Sequence, residues 1–77
     1  MLTGRRFHLR MEILGIETID GDNRVAVMVP AGETITVLSG PRPDDKRLVD
    51  VLWGDKNLVM FYEDVQGRSD QVQGGAA

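Results

Sequence analysis

The stretch Val49–Val65, VDVLWGDKNLVMFYEDV, decides how this chain is read. Two apolar runs flank the polar tetrad Gly54-Asp-Lys-Asn57, and the second run stops at Glu63-Asp64. β-branched and aromatic residues on either side of a short turn predict a β-hairpin, with one strand from Arg47 to Trp53 and the next from Asn57 to Tyr62. Its faces are unusual. Val49, Val51 and Trp53 share one side of the first strand, and Leu48, Asp50 and Leu52 share the other. In the second strand, Leu58, Met60 and Tyr62 are opposed by Val59 and Phe61. Apart from Asp50, both sides are apolar, whereas an antiparallel sheet with one wet face alternates cleanly. Something should therefore cover the second face.

Two covers are open. The N-terminal arm or the terminal tail could fold over the hairpin, or strong bending could bring both faces inside. Alternatively the face is a subunit interface, most simply that of a two-fold homodimer. Leu48, Leu52, Trp53, Leu58, Met60 and Tyr62 are the candidate interface residues. Trp53 and Tyr62 would be the anchors, since Trp and Tyr dominate hot spots. Core filling is the competing role, more so for Trp53 than for Tyr62.

Outward from the hairpin, the chain reads as short strands punctuated by turns. Residues 6–13 alternate, with Phe7, Leu9, Met11 and Ile13 on one side and Arg6, His8, Arg10 and Glu12 on the other, which predicts a half-buried strand ended by Gly15. Ile16 to Asn23, IETIDGDN, is rich in turn formers. Arg24–Val29 forms a second strand, with Val25, Val27 and Val29 inward, closed by Pro30. Thr34–Ser39 forms a third, and Gly40–Lys46, with two prolines and two aspartates, is a loop. Glu63–Gln66 allows one helical or 3₁₀ turn, with Asp64 as its cap. A short strand around Asp70–Val72 would follow. No segment sustains a helical period, so the expectation is all-β: a small antiparallel barrel of five or six strands.

At 77 residues the chain is one domain, spanning 1–72, with 73–77 a frayed tail. A chain this short buries only about 60% of its unfolded surface, so its core is small. There is no cysteine and one histidine, which leaves no metal site of the zinc type and no disulfide. The apolar residues near the N-terminus are broken by His8, Arg10 and Glu12, so no signal-type segment is expected and the chain reads as cytoplasmic. No cofactor is implied.

Net charge is −3, yet Arg5, Arg6 and Arg10 fall within the first ten residues without an acid. The stripe Arg5, Arg6, His8 and Arg10 could contact an anion or nucleic acid. Overall acidity and the lack of interleaved aromatic residues weigh against this, leaving a solvated strand face as the simpler reading. Asp20-Gly-Asp-Asn23 is calcium-like only in spacing and lacks the remaining EF-hand ligands. Catalysis finds no support. His8 has no spacing that joins it to Ser39 or Ser69, and Glu63 and Asp64 would point to opposite faces of a strand. Gly32 and Gly40 are isolated, so no phosphate loop exists.

From Pro30 onward the order of features resembles an SH3-like small barrel. Pro30-Ala-Gly-Glu33 leading into Thr34–Leu38 resembles the diverging turn and the strand after it. Gly40–Lys46 corresponds to the next long loop, Arg47–Tyr62 to the distal hairpin and Glu63–Val65 to the one-turn 3₁₀ helix before the last strand. The chain is also similar to short bacterial proteins of unknown function with a related Pro-Ala-Gly and Val-Asp-Val-Leu-Trp arrangement. The Ala-Leu-Tyr-Asp-Tyr-like motif, the paired Trp and the Pro-x-x-Tyr of peptide-binding SH3 domains are absent, so the resemblance implies the fold without proline-peptide binding. The expected function is a non-enzymatic interaction module that self-associates through the hairpin 48–62. The alternatives are a nucleic-acid-associated barrel using the basic stripe, and a small-molecule binder at a subunit junction.

Overall fold

The computed structural model describes residues 3–72. Its centre is the hairpin that the sequence announces: β5 (Leu48–Trp53) and β6 (Lys56–Phe61), in register from Leu48↔Phe61 to Trp53↔Lys56. Gly54 turns it at φ +62, a left-handed conformation that a side chain would strain, so the connection needs only Gly54 and Asp55.

Around this pair lie β1 (Arg6–Leu9), β2 (Ile13–Ile19), β3 (Asn23–Val29), β4 (Thr34–Ser39), the helix α1 (Tyr62–Arg68) and β7 (Ser69–Gln71). All strand pairings are antiparallel, in one sheet of order β3-β2-β6-β5-β4-β1-β7. The expected closed barrel is not what forms. The sheet is open, with β3 and β7 at its two ends, and no pairing joins those ends among the described residues.

Every strand but β7 gives its inward residues to one core. Phe7, Leu9, Ile13, Val29, Ile35, Val37, Val49, Val51, Leu58 and Met60 fill it, and Val65 of α1 completes it. Each such side chain contributes roughly 1.5–3 kcal/mol of burial. The helix packs on β1, β2, β6 and β7, where it does what closure would otherwise do. Ser69, buried just beyond it, donates its hydroxyl to the Val65 carbonyl and so is satisfied.

Several local expectations are corrected. Residues 6–13 are not one strand: the chain turns a corner at Arg10–Glu12 between β1 and β2. The Arg10 and Met11 amides both donate to the Arg68 carbonyl there, and Met11 is left exposed. Gly15 does not end a strand but sits inside β2, which runs on to Ile19. A Cβ on Gly15 would lie 3.1 Å from Leu58 Cδ1, so the glycine lets β2 lie against the packed Leu58 side chain. The 3₁₀ turn near Glu63–Val65 is a seven-residue α-helix, and Phe61, not Asp64, stands at its N-cap. Asp64 instead faces Arg68 one turn on, at 3.7 Å. The final strand begins one residue early, at Ser69. The tail 73–77 lies outside the described residues.

Candidate interaction surface

Strand alternation gives the sheet an outer face opposite the core. Across its middle, the strand registers line up Ala26, Ile16, Val59, Asp50 and Ser39 as successive cross-strand neighbours. Leu14↔Met28 lies to one side of this row, and Leu52↔Thr36 to the other. Leu48 faces Phe61 on the same surface. Phe61 is 48% exposed and Met28 49%, while Leu48, Ile16, Leu52 and Val59 are half-buried. This face is apolar over most of its breadth, and Asp50 is the charge in its midst.

Asp50 is partnered within the chain. A register shift between Val37 and Ser39 bulges β4, which leaves Leu38 exposed beside the outer face. The β4–β5 loop then returns over this surface, its path fixed by the Arg42 amide donating to the Leu48 carbonyl at 3.0 Å. Arg42 grips Asp50 with two bonds, Nε to Oδ2 at 3.1 Å and Nη2 to Oδ1 at 2.5 Å. Ser39 donates its hydroxyl to the same carboxylate at 3.2 Å. Hydrogen bonding from Arg42, above all, holds the Asp50 carboxyl below its ordinary range, and the same bond raises the Arg42 guanidinium. The pair is therefore ionised and internally neutral.

Between this loop and β2 lies a groove of about 450 Å³, walled by Ile16, Thr18, Leu38, Val59 and the Arg42–Asp50 pair. An adjoining hollow of about 180 Å³ extends it towards Arg24 and Leu48. The groove's walls are mixed: Ile16, Leu38, Leu58 and Val59 are apolar, while Thr18, Ser39, Asn57 and the internally neutral Arg42–Asp50 pair are polar. Two hydroxyls, those of Thr18 and Ser39, line it, and that of Ser39 is donated to Asp50.

The six residues assigned to the interface from sequence separate into two sets. Leu48 and Leu52 are on the outer face, half-buried. Leu58 and Met60 pair with Val51 and Val49, point inward and are each 1% exposed, so the chain's own core already takes them. Trp53 and Tyr62 pack against that core as well; the Trp53 indole N–H donates to Glu33 Oε1 at 2.9 Å. What the sequence reading missed is the rest of the outer face: Leu14, Ile16, Met28, Phe61 and the Arg42 clamp. Continuing the alternation of β2 through Gly15 would have placed Leu14 and Ile16 there.

Of the arginines in the basic stripe, Arg10 alone has an ion-pair partner among the described residues. Arg6 and His8 lie on the outer side of β1, opposite Thr36 and Thr34, and Asp70 of β7 sits across from His8. Arg10 lies beyond the strand, with Nε 3.1 Å from Asp70 and Nη2 donating to the Gly67 carbonyl at 2.7 Å. Arg5 is exposed, and its carbonyl is bonded by the Val37 amide. Among the described residues, no three acidic or histidine side chains are grouped to hold a metal ion, and no helix is long and apolar enough to cross a membrane. No protein-family model, no curated protein and no solved structure matches this chain.

Proposed function

We propose that this chain is a non-enzymatic interaction module that associates with a second copy of itself through the outer face of its β5–β6 hairpin. The observation that carries the reading is a central strand pair whose outward side is apolar and half-wet. Leu48, Leu52, Val59 and Phe61 are only partly covered although their strands have neighbours on both flanks. Contiguous apolar surface of this kind is what interfaces consume. Phe61 replaces Trp53 and Tyr62 as the anchor, since those two rings pack on the core.

The likeness to an SH3-like small barrel belongs to the same proposal. It is supported by the sequence of turn, strand, long loop, hairpin, short helix and a last strand beside β1. The open sheet is the departure from it. A reducing, cytoplasmic setting fits a domain with no cysteine to oxidise. Nucleic acid is the less favoured partner, because Asp70 engages Arg10 and faces His8 within the would-be contact stripe.

Sedimentation at a low and a high concentration tests the reading. The expected result is a mass that rises above 8.5 kDa with concentration, and Phe61→Ser holding the chain at that mass under the same conditions. A wild-type chain that stays at 8.5 kDa when concentrated overturns it, as does Phe61→Ser associating like wild type.

A further inference from the structure

The sheet ends in two edges of opposite character. β7 is three residues long and carries exposed Asp70 and Gln71. Short and charged is how an edge strand resists unwanted pairing. β3 is seven residues long and pairs with β2 in unbroken register from Ile13↔Val29 to Ile19↔Asn23. It has no proline, no lysine and no bulge, and Arg24 is its one charge. Val25, Val27 and Val29, three of its seven residues, are strong strand formers. Alternate residues of such an edge turn both N–H and C=O outward. β2 is the one strand it pairs with among the described residues. The side chains along it are left wet on both faces: Val25 is 44% exposed on the core side and Met28 49% on the outer side.

We propose that β3 is a pairing edge, and that its occupant is β3 of a second copy, antiparallel about a two-fold axis through Ala26 and perpendicular to the sheet. The strand's own sequence fits this partner. Val25 then meets Val27 of the second copy, Ala26 meets its counterpart, and Arg24 meets Met28. No like charges oppose one another, which in a cross-strand pair would be unfavourable. Residues of equal parity pair, so core side continues core side and outer face continues outer face. The valines left wet by a single molecule gather into one row, and two seven-stranded sheets become one. The inference takes from the proposed function only that the partner is a second copy; the surface is a different one.

The test uses Ala26, an exposed residue whose side chain the monomer core does not need. Ala26→Lys and Ala26→Glu each place two like charges at the axis and should weaken self-association roughly tenfold or more, read by sedimentation equilibrium. Mixing the two variants should restore association, because lysine then faces glutamate. Thermal melts by circular dichroism verify that both variants keep the fold. Ala26→Lys associating like wild type overturns the inference, even where Phe61→Ser dissociates the chain and so upholds the face. The reverse pattern, in which Ala26→Lys acts and Phe61→Ser does not, upholds the edge and overturns the face. A wild type that is monomeric when concentrated overturns both. A loss in the Lys variant that the Glu variant cannot rescue means that the two Ala26 positions do not face one another, and overturns the β3–β3 pairing about that axis.

Discussion

The two long hairpins, β2–β3 and β5–β6, are written in similar letters and meet different fates. Both alternate apolar residues across short polar turns, and both direct one side of each strand inward. In β5–β6 the inward residues Val49, Val51, Leu58 and Met60 are buried, because β4 and β2 flank the pair and the curled sheet and α1 close over it. In β2–β3 only the end nearest the core is buried, at Ile13, Gly15 and Val29. Towards the tip, the inward Ile19 and Val25 are 42% and 44% exposed, since the hairpin runs past the core with nothing beyond β3 among the described residues. Periodicity therefore names a face. Position in the sheet decides whether that face is dry.

The sharpest way to break this contrast is Leu58→Ala. It empties a site with no solvent access and should cost about 2–5 kcal/mol, a large share of what a domain this small can have, read as a shifted midpoint in urea unfolding. Gly15→Ala comes next, because Gly15 is where the two hairpins touch. The new Cβ meets Leu58 at 3.1–3.2 Å, and a packed leucine has little room to retreat, so a loss of about 1–3 kcal/mol is expected in the same measurement.

Asp50→Asn, on the outer face of the buried hairpin, should cost less, about 1 kcal/mol at neutral pH, because the Arg42 it leaves behind is partly solvated. Its signature is in acid. Arg42 lowers the folded-state carboxyl below its ordinary 3.8, so the pair's stabilisation is complete above that value and fades as pH falls through the lower, folded one. The variant's denaturation midpoint should therefore fall less on acidification below 3.8 than the wild type's does. An equal fall in both would show that the clamp contributes nothing to acid sensitivity. The smallest effect belongs to the β2–β3 tip, where Val25→Thr should change the unfolding free energy of the monomer by no more than about 0.5 kcal/mol. A loss comparable to that of Leu58→Ala would mean that the tip is buried after all.

How much of this was legible depends on the range of the forces involved. Thr34–Ser39 was readable to its last residue, and the β5–β6 hairpin to within one, since Pro, Gly and Asp around them act locally. The corner at Arg10–Glu12 was not, because two amides there bond a carbonyl 57 and 58 residues away and leave the alternation intact across the bend. Gly15 read as a stop because its reason for being small, Leu58, is distant in sequence. The outer face was half legible. The sequence showed that the hairpin had two apolar sides, but which of them the core would claim depended on β2, β4 and α1. Leu58 and Met60 therefore went inward, and Phe61 was left to the solvent.

The β4–β5 loop has a consequence of its own. Its anchors, the Arg42 amide on Leu48 and the Arg42–Asp50 clamp, lie on the outer surface, and Arg47 and Asp45 hold each other at 3.0 Å in the exposed turn. Past Gly40, whose missing side chain makes space for Val49, none of the fully buried core side chains belongs to this segment. Apart from Arg42, the letters of this segment can therefore change without opening the core, so a handful of codons could retune what the groove admits at little cost to folding.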